Sequence, residues 1–237
     1  MRLFSYIYKY VYSKHRRCDI IKERSGNMSI NIEQLWDSKD EVMWKEALSY
    51  YDRLYTKDNA HIEKRLESLY KKIEDVRNMT GQDFYNFLYD DYYVWKYTAK
   101  NRLTTTRNHL SKHKDNIADL EIVKDLLFYC YDRQYYDWCL KILCEGINGL
   151  GTAGASGLLS LLFPVQFGTV DQFVVKSLTK TKEKNKVKVM NPENLKLSDA
   201  YELETIMRNK AKQLNEIFNT DFWTPRKIDQ ILWSIER

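Results

Sequence analysis

Chain breakers are scarce in this sequence, and their scarcity limits the fold more than any other feature. Only 8 Gly and 3 Pro occur in 237 residues, and most of the glycines crowd into one stretch, GINGLGTAGASGLL, from Gly146 to Leu159. A many-stranded sheet needs many tight turns, which Gly and Pro supply most readily. A chain poor in both favours long helices. With 43% hydrophobic residues there is enough apolar material for one large domain or for two lobes sharing an interface.

Apolar spacing agrees with an all-α chain. Residues 31–56 place Ile32, Leu35, Trp36, Val42, Trp44, Leu48, Tyr51 and Leu54 at helical intervals and fit two short helices. Residues 59–78 repeat Ile62, Leu66, Leu69, Ile73 and Val76 at three and four, which predicts a single amphipathic helix. Thr80 and Asp83 can cap the next helix. Further helices are expected over 100–112, over 119–145 as one or two pieces, over 199–218, and after Pro225, a residue suited to a first helical position. That is roughly ten helices. A short strand at 164–171 is the one competing element, and the basic, polar run 180–188 (KTKEKNKVK) reads as a linker.

Residues 1–30 form an N-terminal extension of no assigned role. MRLFSYIYKYVYSKHRRC lacks the continuous apolar core and cleavage site of a secretory signal. It reads either as a short amphipathic helix or as sequence upstream of a start at Met28. No apolar run of about 18 residues occurs, so no membrane span is expected. Cys18, Cys130, Cys139 and Cys144 have no metal-ligand spacing and read as reduced thiols of a cytoplasmic protein. His109 and His113 stand four apart without an acidic ligand motif nearby, so no side-chain metal site is expected. A net charge of +5 and a pI near 8.8 lean only slightly toward polyanionic partners. The 14% aromatic content can fill a core and also stack on bases.

The glycine-rich stretch carries the chemistry. A helix ends near Glu145, Gly149-Leu150-Gly151 turns the chain, and a second helix runs over 152–162. Two glycines can take left-handed conformations closed to other residues. Leu150 between them can plug the core. The amides of the turn and of the following helix then face outward and suit a phosphate oxygen, with the Thr152 hydroxyl at the same end. Small residues at Ala153, Gly154, Ala155 and Gly157 permit close helix approach. Asp171 follows between Val170 and Phe173-Val174-Val175. It is either a partly desolvated functional acid or the N-cap of a helix starting at 172. Lys96, Lys100, Arg102 and Arg107, interleaved with Trp95 and Tyr97, form either a DNA-facing strip or a solvated helix face over two core aromatics. Lys176 reads first as a solvated lysine and second as a phosphate contact.

The segment INGLGTAGASGLLSLLFPVQFGTVDQFVVKSL, residues 147–178, resembles the hairpin and catalytic loop of the helix-hairpin-helix DNA glycosylases, the superfamily of the endonuclease III and 8-oxoguanine DNA glycosylase folds. Ile147-Asn148-Gly149-Leu150-Gly151 stands for the hairpin and Val170-Asp171 for the acidic end, in register. The resemblance implies two helical lobes with a cleft between them, in a domain covering 31–237. Within it the hairpin takes 139–163, a catalytic loop 164–175 and C-terminal helices 195–237. It implies Asp171 as the catalytic carboxylate, and Gly149, Leu150, Gly151 and Thr152 as the clamp on a phosphate of double-stranded DNA. A K+ or Na+ ion held by hairpin carbonyls would accompany them. Lys96, Lys100, Asn101, Arg102 and Lys176 become DNA contacts. Ala153 stands where lyase-competent members carry a lysine, which implies a monomeric, monofunctional enzyme using water. No cysteine cluster follows the acid, so no iron–sulfur centre is implied. Two other readings compete: a DNA-binding protein that kept the hairpin without catalysis, and a helical interaction protein whose glycine turn is only a tight connection.

Overall fold

Periodic apolar residues become helix along most of the chain. The computed structural model describes residues 21–24, 27–54 and 60–236. The amphipathic helix expected near the N-terminus, and Cys18, lie outside the described residues. Among the described residues the protein is all-α except for one antiparallel hairpin, β1 (Ile21–Arg24) and β2 (Asn27–Ile30), paired Ile21 to Ile30 and Arg24 to Asn27. The sequence gives little sign of these strands.

The two short helices expected over 31–56 are α1 (Ile32–Trp36) and α2 (Glu41–Leu54). The Asn31 side chain caps α1 by accepting from the Gln34 amide. The single helix expected over 59–78 is instead three pieces: α3 (Ala60–Leu66), a 3₁₀ turn (Leu69–Lys72) and α4 (Ile73–Arg77). Ser68 marks the break. Its amide and hydroxyl both bond back to the Arg65 carbonyl, at 3.2 and 2.7 Å, tightening the turn. The break leaves Glu67 against Arg226, far along the chain.

Thr80 and Asp83 form a reciprocal capping box at the start of α5 (Gly81–Asn86). A π-helical turn (Phe87–Tyr92) leads into α6 (Tyr93–Lys96). The chain bends at 97–99 and resumes as α7 (Lys100–Leu110). The long buried pair is α8 (Ile117–Asp132) and α9 (Tyr136–Gly146), separated by Gln134 at φ +60. After the glycine turn come α10 (Gly151–Leu162), an irregular loop, α11 (Gln172–Leu178), α12 (Lys184–Val187), α13 (Leu197–Phe218) and α14 (Pro225–Glu236). No strand forms at 164–171. The run 180–188 is not a free linker, because Val187 and Thr181 are buried in the fold.

Within the sequence-local half, α8 packs on α5 and α9, and α9 on α10. In the other, α14 packs on α2, α11 and α13. One cluster of buried apolar side chains runs through both. It includes Trp36, Trp44 and Trp223, whose ring centroids stand 6.1 and 5.9 Å apart in sequence order. Burying each such ring contributes about 1.5–3 kcal/mol. Small residues on α10 do what their size permits. The Tyr92 hydroxyl donates to the Gly154 carbonyl, and a Cβ at Gly157 would stand 2.7 Å from that hydroxyl. Glycine at these positions leaves room for the Tyr92 and Tyr97 hydroxyls and the Lys96 side chain against α10.

Candidate functional site

The glycine turn forms as its residues demand. Gly149 has φ +87 and Gly151 φ +59, both in the left-handed region. A side chain at Gly149 would also meet His109 Cβ at 2.7 Å. Leu150 is the plug, 2% exposed. The turn is pinned from several sides. The Leu150 amide donates to the Ile147 carbonyl at 3.2 Å, the Tyr97 hydroxyl to the Leu150 carbonyl at 3.2 Å, and the Asn148 amide to His113 Nε2 at 3.0 Å. No side chain caps α10. Gly151 is exposed and open, with no other group within 4 Å of where its Cβ would stand. Thr152 is half-buried.

Between α10 and α11 the loop is held residue by residue. The Gly168 amide donates to Glu204 Oε2 at 3.1 Å, the Thr169 amide to Asp229 Oδ2 at 2.6 Å and the Val170 amide to Ser156 Oγ at 3.0 Å. These acceptors come from α13, α14 and α10 in turn. Consecutive amides bonded to different helices leave the next residue, Asp171, little freedom. Asp171 caps α11: its Oδ1 accepts from the Phe173 and Val174 amides at 2.9 and 3.2 Å. Oδ2 has no protein donor among the described residues.

Asp171 also lines a cavity of about 430 Å³. Five aromatic side chains line it: Tyr51 from α2, Trp95 from α6, Tyr97 from the bend, Phe173 from α11 and Trp233 from α14. Trp233 meets Tyr51 edge-on at 5.4 Å and Phe173 at 6.3 Å between centroids. Lys96, Arg102, Gln172, Arg226 and Asp229 supply polar groups.

Arg226 and Asp229 are 5% and 2% exposed. Arg226 Nη1 contacts both Asp229 oxygens, at 2.9 and 3.1 Å, and the same guanidinium reaches Glu67 and the Tyr51 hydroxyl. Burial pushes the Asp229 carboxyl up to about 7, against the pull of Arg226 and of the Thr169 amide. Burial likewise holds Glu204 well above the ordinary carboxylate range. At Lys96 burial pushes the amine below the usual lysine value, opposed by the nearby Asp171 and Asp229 carboxylates.

The structure gathers some of the sequence candidates and separates others. Asp171, Lys96 and Arg102 line the cavity. Asn101 and Arg102 share a shallower hollow with Gly149 and Tyr97, so the start of α7 lies beside the turn. Lys100 is exposed at the first position of α7. Arg107 does not continue this strip: its guanidinium stacks on Tyr89 at 4.2 Å and donates to the Tyr89 carbonyl. The bend at 97–99 breaks the continuous basic face expected from spacing alone. Lys176 is exposed over the Phe173 ring, bonded to Gln172, outside the cavity lining.

The sequence reading missed Tyr51, Arg226, Asp229 and Trp233. It treated 223–226 as a packed helix start, whereas Arg226 reaches the cavity. A signal was present: Arg226 and Asp229 stand one turn apart beside Ile228, Ile231 and Leu232, and opposite charges on a buried helix are costly unless paired. No protein-family model matches the chain, and neither a curated protein nor a solved structure matches it. Among the described residues no helix is long and apolar enough to cross a membrane.

Proposed function

We propose that the protein is a DNA base-excision enzyme that hydrolyses the N-glycosidic bond of a damaged or modified nucleotide turned out of the duplex. The observation that carries this reading is the position of Asp171 on the wall of an aromatic cavity, with a turn of uncapped amides nearby. The volume falls within the range of about 300–1,000 Å³ usual for ligand sites. Rings at Tyr51, Trp95 and Trp233 offer faces and edges to a flat base, and extrusion of the base costs about a few kcal/mol.

In this reading α9, the turn and α10 act as a helix-hairpin-helix unit. The amides at Gly151 and Thr152 hold a phosphate of double-stranded DNA, and Lys100, Asn101 and Arg102 follow the backbone beside it. The α5–α10 helices and the group around α14 act as two lobes, with the cavity as the cleft between them. Positive charge grows on the sugar as the C1′–N bond breaks, and Asp171 Oδ2 faces that charge and orients the attacking water. One chain supplies every part, so a monomer suffices, acting wherever the DNA is. The implied K+ or Na+ ion fits poorly: the Ile147 and Leu150 carbonyls already accept bonds within the protein, and no step depends on the ion.

The Asp171 cap bonds favour a second reading, a non-catalytic binder that uses the same turn. Incubation with duplexes carrying single damaged or modified bases, scored for abasic sites, separates the two. The enzyme reading expects abasic sites from at least one duplex; binding to every duplex without base release supports the binder.

A further inference from the structure

Helix α8 is apolar on two opposite faces. Leu120, Leu127 and Phe128 are buried on one side, where the helix packs on α5 and α9. Ile122, Leu126 and Tyr129, spaced by four and three, are 62%, 46% and 53% exposed on the other. Tyr135 and Trp138, at the start of α9, are exposed as well. Five of the eleven large apolar side chains exposed among the described residues thus fall between positions 122 and 138. Single exposed apolar residues are ordinary, whereas a contiguous group marks an interaction surface. A helix apolar all round is normally covered all round. The charges of α8 fall into two kinds. Glu121 accepts from the Gly81 amide at 2.8 Å, Asp125 pairs with Lys124, and Asp132 with Arg77. Asp119 and Arg133 are exposed and form no ion pair or side-chain hydrogen bond among the described residues. They stand seven positions before and seven after Leu126, about two helical turns each way, so all three share one stripe. Along that stripe Asp119, Ile122, Leu126, Tyr129 and Arg133 read acid, apolar centre, base.

We propose that this face pairs two copies of the chain, α8 packing antiparallel on α8 of the second copy about a two-fold axis at Leu126. A two-fold contact is self-complementary: each group meets a group that its own chain also carries. Antiparallel packing with Leu126 on the axis sets Ile122 against Tyr129 of the second copy and Asp119 against its Arg133, and both contacts occur twice. A parallel pair in register would set acid on acid and base on base. Charge complementarity therefore selects the partner and its direction together. The start of α9 widens the contact. The Tyr135 amide donates to the Cys130 carbonyl at 2.8 Å, and a Cβ at Gly146 would stand 2.7 Å from Val123, so α9 runs antiparallel beside α8. The 16 residues of α8 span about 24 Å, which gives a contact at the small end of specific interfaces and a dimer that dissociates in the micromolar range. No residue of α8 or α9 lines the cavity of Asp171. Each copy keeps a complete cavity, and the pairing is independent of the base-excision reading.

The test is the mass of the full chain in solution, read by sedimentation velocity and light scattering across the micromolar range. The wild type is expected to pass from monomer to dimer as its concentration rises. Leu126→Glu sets two carboxylates on the axis and should raise the dissociation constant at least about 100-fold. Asp119→Arg and Arg133→Asp each replace two attractive pairs by two repulsive ones and should raise it at least about tenfold. Mixing these two single variants should restore a dimer with one chain of each kind, because acid then meets base at both ends. The double variant carrying both changes should pair with itself for the same reason. All three positions are exposed, and thermal melts check that each variant keeps the fold. Recovery on mixing is a result that neither misfolding nor loose hydrophobic association would give. A wild type that stays monomeric throughout, a dimer unaffected by Leu126→Glu, or folded charge variants that do not pair when mixed overturns the proposal.

Discussion

The glycine turn at 147–151 and the cavity lined by Asp171 are built by opposite means. The shape of the turn is local: five consecutive residues, two of them in left-handed conformations, reverse the chain, and Tyr97 and His113 then pin it from outside. The cavity is assembled from α2, α6, α10, α11 and α14, and its polar wall depends on charges brought together across most of the chain. Backbone amides carry a fixed partial charge that suits any phosphate. Side chains gathered from separate helices can shape a pocket around one particular base. On the base-excision reading proposed above, general DNA affinity would belong to the turn and chemistry to the cavity.

The largest effect expected from breaking the cavity wall is at Arg226. Arg226→Met strands Asp229 and Glu67 and should cost about 3–5 kcal/mol, read by urea or thermal unfolding. An unchanged melt would mean that the pair does not hold the wall. Next is the turn itself. Gly149→Ala adds a contact with His109 to a left-handed strain of about 1–2 kcal/mol, so its loss should exceed that of Gly151→Ala, where the same strain acts in open space. Equal losses at the two glycines would contradict the packing of Gly149 on α7. Both should weaken binding to all duplexes alike, measured by fluorescence anisotropy.

Much of the turn was legible because its requirements are local. Glycines at 149 and 151 with a leucine between them already imply a sharp, plugged reversal. Thr80 with Asp83, and Pro225 at a helix start, were equally readable. The single helix expected over 59–78 failed because its apolar spacing survives the break at Ser68, which hydrogen bonding rather than hydrophobicity decides. Asp171 was legible as an acid in register with the turn, and both uses weighed for it are compatible: it caps α11 and lines the cavity. Tyr51 and Trp233 were not legible as partners, since nothing in the periodicity of either helix says which distant ring it will meet.

The most direct test of the account is Asp171→Asn, because asparagine caps a helix about as well as aspartate and should leave α11 and the turn intact. Single-turnover base release and duplex affinity are measured on the same preparation. The account predicts a fall in base release of about 100-fold or more, with affinity retained or improved. Base release unchanged from that of the wild type would contradict it.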